Sequence, residues 1–259
     1  MKVLWPEQER KRFINMNLWK YFLENDGNKI TRWTHYFPIY EKHFERFRNK
    51  PVKILEIGVL NGGSLPMWQK YFGPLSKIVA IDITPSCKSY EIPGTQVRIG
   101  DQSDEKFLQE LVDEFGEFDV VIDDGSHQVA HVNKTFQYLY PKMSKNGVYL
   151  VEDTHAAYWK DSHGGGLDEP ESIINVSKNL IDKLNADHTR GQVEPDDFTR
   201  STQSITFYDS VIVFERGEIH WKQPLEFGKN APMDYAPNPE LQQAARNSAP
   251  DMGDFTIRT

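Results

Sequence analysis

The residue types best suited to chemistry cluster in Asp119-Val120-Val121-Ile122-Asp123-Asp124-Gly125-Ser126-His127-Gln128-Val129-Ala130-His131. A short β-branched run stops at two carboxylates, a Gly, a Ser and a His, and an amphipathic pattern follows. A second apolar run, Val148 to Val151, stops at Glu152-Asp153-Thr154-His155. If the two runs are neighbouring parallel strands, up to four carboxylates meet at one rim. Carboxylates brought that close repel one another unless a cation sits among them. Hard oxygen donors with room for water suit Mg2+, or Mn2+ in its place. Single acids at such places also cap helices or meet a lysine. His127, three residues beyond Asp124, is placed to take a proton at that rim. His131 lies one helical turn further on and reads as a support for the helix or loop. The HxxxH spacing has no cysteine or HExxH context to favour zinc.

The elements that must position these groups are legible from hydrophobic period. Short helices are expected over Asn17–Asn25 and Pro38–Arg48, the second with Ile39, His43, Phe44, Arg46 and Phe47 on one face. Between them lies a loop rich in aromatic and hydrogen-bonding groups, Gly27 to Phe37. Strands are expected at Val52–Val59, Lys77–Ile83, Gln96–Ile99, Phe118–Ile122 and Val148–Val151. Helices are expected from Ser64 to Phe72, through Phe107, Leu108, Leu111, Val112 and Phe115, and through Val129, Val132, Phe136, Leu139 and Met143. His155 to Glu169, with Tyr158, Trp159 and three consecutive glycines, reads as a mobile loop. Pro170 then opens a helix with the stripe Ile173, Val176, Leu180 and Leu184. Residues 192–200 read as polar connection, and Ser204–Tyr208 with Val211–Glu215 as a hairpin. Strand and helix alternation of this kind makes a parallel, doubly wound α/β sheet.

Three strand ends carry a second constellation. Glu56-Ile57-Gly58-Val59-Leu60-Asn61-Gly62-Gly63-Ser64 turns a strand into a helix, with glycines that let a ligand near the backbone. Asp82 ends the next strand, where an acid can accept from both hydroxyls of a ribose. Asp101-Gln102 follows the third, a carboxylate and an amide suited to an adenine edge. The Gly-x-Gly-x-x-Gly spacing that cradles a pyrophosphate is missing. Glu56 would repel a pyrophosphate and attract an ammonium. A nucleoside with a cationic amino-acid tail and no phosphate, S-adenosylmethionine, matches.

Over about Val52 to Glu215 the chain resembles the class I S-adenosylmethionine-dependent methyltransferases. That resemblance implies a Rossmann-like, seven-stranded, mostly parallel sheet with an antiparallel last strand and helices on both faces. It implies that Glu56 and Gly58 flank the methionine end, that Asp82 holds the ribose and that Asp101 and Gln102 border the adenine. Asn61, Gly62 and Ser64 belong to the same cofactor turn, with Ser64 as helix cap. The motifs Asp123-Asp124-Gly125-Ser126-His127, Val151-Glu152-Asp153-Thr154 and Ala157-Tyr158-Trp159 narrow the resemblance. They are similar to those of the metal-dependent sugar O-methyltransferases of macrolide and related antibiotic biosynthesis. Carried over, Asp124, Glu152 and Asp153 bind Mg2+, His127 is the base, and Asp123 lies near the cofactor. Thr34-His35-Tyr36 and Tyr40 to Phe44 resemble that family's segment closing over the cofactor, which makes Tyr36 a cofactor-side residue. Macrolide members can carry a sizeable extra N-terminal domain, and the residues before Val52 are not expected to form one.

The reaction so implied moves a methyl group in line from the sulfonium to a sugar hydroxyl, with Tyr158 and Trp159 as candidate substrate-stacking residues. A catechol-type O-methyltransferase is the enzymatic alternative, and a non-catalytic cofactor-binding scaffold is the other. The expected organisation is a helical cap over residues 1–50, the methyltransferase domain over 51–217 and a tail over 218–259. A formal net charge of −8 over 259 residues argues against a nucleic-acid partner. The single cysteine, Cys87, precludes an internal disulfide. With no apolar leader after Met1 and no membrane-length apolar run, a cytoplasmic protein is expected, acting on a small-molecule or glycan hydroxyl, with homo-oligomer formation permitted.

Overall fold

In the computed structural model, which describes residues 17–218 and positions 222, 224, 239, 240 and 243, the apolar runs become strands of one sheet. They are β1 (Lys53–Ile57), β2 (Lys77–Asp82), β3 (Thr95–Ile99), β4 (Val120–Asp123), β5 (Val148–Val151), β6 (Thr202–Tyr208) and β7 (Val211–Arg216). Their order is β3-β2-β1-β4-β5-β7-β6, with β7 antiparallel to both of its neighbours. This is the seven-stranded sheet expected from the sequence. The order reverses direction between β1 and β4, and a ligand crevice forms outside the carboxyl ends at such a point.

Burial on both faces explains why the central strands are nearly continuous apolar runs. Alternate residues pack into two separate clusters. Ile54, Ile78, Ala80, Val120, Ile122 and Val148 face one; Leu55, Val79, Ile81, Val121, Tyr149 and Val151 face the other. The same period decides where two central acids go. Glu56 shares a face with Ile54, whereas Asp123 shares a face with Val121.

The first face is covered by α1 (Asn17–Leu23), α2 (Phe37–Phe44) and α3 (Ser64–Phe72). Leu18, Phe37, Tyr40, Phe44, Trp68 and Phe72 are buried there together, with Tyr40 set edge-on to Trp68 at 5.3 Å. The segment expected as a cap over residues 1–50 thus contributes, in its described part, to the core of the sheet itself. The opposite face is covered by α4 (Glu105–Phe115), α5 (Val129–Leu139) and, past a four-residue α6 (Lys160–His163), α7 (Ile173–Leu184).

Several boundaries differ from expectation for local reasons. Helix α5 stops at Leu139 and becomes a 3-10 turn over Tyr140–Lys142, because Pro141 has no N–H to continue the ladder. Helix α7 starts after Ser172, whose Oγ accepts from Asn175 N at 3.2 Å, and not at Pro170. Arg46 is exposed and does not share the buried face of Ile39, His43, Phe44 and Phe47. The polar stretch before the hairpin contains α8 (Asp197–Ser201), started by a reciprocal capping box between Asp196 and Thr199. No helix among the described residues is long and apolar enough to cross a membrane. The expected tail over 218–259 lies almost wholly outside the described residues.

Two features of this frame are testable. Glu215 on β7 ties the sheet to the N-terminal segment, accepting from Arg46 Nη1 at 2.9 Å and Ser204 Oγ at 3.0 Å and facing His43 Nδ1 at 3.4 Å. The hydrogen bond from His43, with Ser204 and the Arg46 charge assisting and burial opposing, holds its carboxyl down at about 2 from an ordinary value of 4.5. Its stabilisation is complete above that ordinary value and is lost as pH falls toward about 2. Glu215→Gln should therefore flatten the acid limb of a Tm-against-pH curve in that window; an unchanged limb would count against the tie. Gly58 sits at φ +95°, and a Cβ there would lie 2.1 Å from the carbonyl oxygen of Asp124. Gly58→Ala should cost at least about 1–3 kcal/mol in chemical denaturation, since both backbone strain and a backbone clash oppose it.

Candidate active site

Register brings the acids together. Ile57 pairs with Asp123, and Asp123 pairs with Val151, so the residues immediately following emerge side by side. Asp124 N donates to Ile57 O at 3.0 Å and Glu152 N to Asp123 O at 2.9 Å, extending the ladder by one rung beyond the strands. A cavity of about 390 Å3 opens at this edge, a size typical of small-molecule sites. Its wall runs from Gly58, Asn61, Ser64 and Asp82 past Asp101 and Gln102 to Asp124, His127 and Asp153.

At one end of the cavity, single oxygens of Asp124 and Asp153 and a ring nitrogen of His127 lie within 4.8 Å of one another. His127 Nε2 is 3.8 Å from both Asp124 Oδ1 and Asp153 Oδ2. The two carboxylates are hard oxygen donors that fit Mg2+ or Mn2+, and the His127 imidazole stands beside them. His127 (φ 56°) and Asp153 (φ 51°) both have left-handed backbone, a conformation that concentrates at functional sites. Asp153 is held there by Tyr36, whose hydroxyl donates to Oδ1 at 2.6 Å and also bonds Ser210 Oγ at 2.9 Å. Tyr36 is thus placed behind an acid and not on the cavity wall.

Glu152 is placed differently from its expected partners. It is 2% exposed, its Oε1 accepts from Tyr40 OH at 2.7 Å, and its Oε2 faces Arg32 Nε at 3.5 Å. Arg32, which the sequence did not single out, also reaches Asp124 Oδ2 at 2.7 Å and Glu56 Oε1 at 3.1 Å. Burial pushes the carboxyls of Asp124 and Glu152 above their ordinary range, with the Arg32 charge opposing it. Burial likewise raises Glu56 to about 7, against Arg32 and the hydrogen bonds from Trp68 and Ser64.

The cofactor-side residues divide into those on the wall and those behind it. Asp82 lines the cavity while accepting from Val59 N, Leu60 N and Thr84 N at 2.9, 3.1 and 2.8 Å. Burial raises its pKa, but these three backbone donors outweigh burial and leave it lowered. Glu56 is fully buried and turned onto Trp68 Nε1 and Ser64 Oγ, at 2.9 and 2.8 Å. Ser64 therefore serves Glu56, and Gly63 occupies the helix-cap position. The glycines of this turn admit protein and not only ligand. A Cβ on Gly63 would meet Asn28 O and Lys29 O at 2.4 and 2.5 Å, and one on Gly62 would meet Tyr90.

Asp123 and Gln102 form a buried unit beneath the cavity. Gln102 Nε2 donates to Asp123 Oδ1 and Thr135 Oγ1, both at 3.1 Å, and its Oε1 accepts from Ser126 N at 2.7 Å. Tyr149 OH donates to Asp123 Oδ2 at 3.0 Å. Burial raises Asp123 to about 6, with Tyr149 and Gln102 pulling it down. The Gln102 amide is thus engaged with protein, although its residue lines the cavity. Asp101, also on the wall, accepts from Ser103 N and Oγ through Oδ1 at 2.7 and 2.8 Å. His131 reaches the wall as well and meets Ser126 Oγ through Nδ1 at 3.1 Å. Tyr158 and Trp159 are half exposed on the segment after β5, where Trp159 packs edge-on to His155 at 5.0 Å. They do not line the cavity.

Comparison with known proteins places this geometry. No protein-family model matches the chain. It is 38% identical over 175 residues to the mycinamicin VI 2''-O-methyltransferase of Micromonospora griseorubida, covering 64% of this chain and 43% of that one. It is 35% identical over 190 residues to the 8-demethyl-8-alpha-L-rhamnosyl tetracenomycin-C 2'-O-methyltransferase of Streptomyces olivaceus, covering 70% and 50%. The solved structure of the MycE methyltransferase of the mycinamycin biosynthetic pathway, in complex with Mg and SAH, superposes with a TM-score of 0.68 at 31% identity. That match covers 78% of this chain and 54% of the other. The chain spans about half the length of the curated relatives it matches. With this sheet order and these relatives, the chain is a homologue of the sugar O-methyltransferases of macrolide and tetracenomycin pathways, built on the class I S-adenosylmethionine-dependent methyltransferase fold.

Proposed function

We propose that this chain transfers a methyl group from S-adenosylmethionine to a sugar hydroxyl of a glycosylated natural product or polysaccharide, in a Mg2+-dependent reaction. The observation that carries this reading is the continuity of one cavity from Asp82 and the Gly58 turn to Asp124, His127 and Asp153. A methyl donor seated over the first group would point toward the second. The relatives support it through what they act on and, for MycE, through the Mg and SAH in its complex.

An alcohol is a weak nucleophile at neutral pH. Bound by Asp124 and Asp153, Mg2+ would supply the positive charge that acidifies and orients a pair of neighbouring hydroxyls. His127 Nε2, already at that edge, takes the hydroxyl proton as the oxygen attacks the methyl carbon. The C–O bond forms as the C–S bond breaks, and its electron pair returns to sulfur, giving a methyl ether and S-adenosylhomocysteine. Asp82 and Asp101 hold the nucleoside end, and the buried Asp123–Gln102–Tyr149 unit keeps the β4 end fixed beneath it. Fixing donor and acceptor in line is worth up to about 7–11 kcal/mol of the barrier.

A mass-shift screen of glycosides with S-adenosylmethionine, in Mg2+ and in chelator, tests the reading. Cofactor binding with no metal dependence and no turnover across a broad glycoside panel would overturn it. Asp124→Asn should remove Mg2+-dependent turnover while leaving affinity for S-adenosylhomocysteine unchanged, and normal turnover of this variant in chelator would refute the metal assignment. His127→Ala should lower kcat by about 10²–10⁴-fold with little change in cofactor affinity. An unchanged kcat would remove His127 as the base.

A further inference from the structure

Arg32 occupies a place that the cation chemistry also needs. Its guanidinium spreads over three acids from three strand ends, with Nη2 on Glu56, Nη1 on Asp124 and Nε toward Glu152. Each acid is met through a different nitrogen, so none is gripped by the paired, parallel bonds that make an arginine–carboxylate contact strong. The Nε itself is buried and has no hydrogen-bond partner. The Asp124 oxygen taken by Arg32 belongs to the same carboxylate whose other oxygen faces His127 and Asp153. Two positive groups sharing one carboxylate at such range repel each other strongly in a site of low dielectric.

Resting on the Mg2+-dependent reading above, we propose that Arg32 is an internal counter-ion that competes with the divalent cation for Asp124 and Glu152, so that metal binding drives the guanidinium off these carboxylates. The acids are too buried to stand uncompensated, and Arg32 holds the fold together until the metal arrives. Glu152 then becomes available as a further oxygen donor through Oε2, which otherwise faces Arg32 Nε at 3.5 Å, while Tyr40 keeps Oε1. Arg32 is carried by residues 25–33, a connecting loop without helix or strand. That loop also walls the cavity through Lys29, Ile30 and Thr31.

Titration calorimetry with Mg2+, and thermal melts in Mg2+ and in chelator, on the wild type, Arg32→Met, Arg32→Lys and Asp124→Asn test this. A pure scaffold role for Arg32 makes removal weaken metal binding, since the acids would splay. Competition makes removal tighten it. The expected result is Mg2+ binding about tenfold tighter in Arg32→Met, an intermediate gain in Arg32→Lys, and a larger Mg2+-induced rise in Tm for both than for wild type. If Arg32→Met folds in Mg2+ but not in chelator, its binding is coupled to folding, and Arg32→Lys decides by the affinity comparison. If Arg32→Met folds in neither, Arg32→Lys decides by the same affinity comparison. Equal or weaker Mg2+ binding in the variants overturns it. A wild type that binds S-adenosylhomocysteine but no Mg2+ overturns the metal reading and this proposal with it. Mg2+ binding by wild type that Asp124→Asn loses leaves the metal reading standing whatever the Arg32 variants do.

Discussion

Electrostatic repulsion among buried acids is the constraint on which this site depends. Parallel register delivers Asp124 and Glu152 to one level, with Asp153 beside them and Glu56 inside the adjoining strand. Ionised carboxylates in a low-dielectric rim are costly unless positive charge or strong donors attend each one. The fold meets this in layers: Arg32 across Glu56, Asp124 and Glu152, then Tyr40, Trp68 and Ser64 as neutral donors behind them. The large aromatic side chains of the N-terminal helices are therefore part of the electrostatics as well as of the packing. Tyr40 fills the core between α2 and α3 with its ring and donates a hydrogen bond to Glu152 with its hydroxyl.

Much of the frame was legible because period and strand-end chemistry are local properties. The seven strands, the antiparallel hairpin and the acids at the ends of β4 and β5 follow from apolar runs that stop at polar residues. The convergence of Asp124, His127 and Asp153 also follows, once β4 and β5 are neighbours. Arg32 was not legible. It belongs to no motif and sits in a loop far from its partners along the chain, and only the tertiary fold brings it under the strand ends. The one available signal was its place in an aromatic-rich loop ahead of an acid-rich sheet edge.

A second group of residues at the cavity also serves buried protein groups. Gln102 and Ser64 both line the cavity, yet a polar side chain at such an edge can face outward or turn back toward buried neighbours. Hydrogen-bond demand from buried neighbours decides which. Asp123 needs two donors and takes them from Gln102 and Tyr149; Glu56 takes Ser64 and Trp68. Sequence shows that a polar residue is present at an edge, not which buried group claims it first. The glycines share this ambiguity, since the neighbour that excludes a Cβ at Gly58 is the Asp124 backbone.

The left-handed backbone at His127 and Asp153 has a bearing on how this site can change over generations. Among side chains with a Cβ, Asp, Asn and His enter that conformation most readily, while β-branched and bulky residues resist it. At these two positions the shape of the chain therefore narrows the accessible alphabet to a few polar types before any selection on chemistry. Drift there is biased toward Asn, Gly or a return to the original residue. A lineage that abandoned the reaction could retain these polar types long afterwards, so the residues at these two positions are evidence of backbone geometry first and of catalysis second.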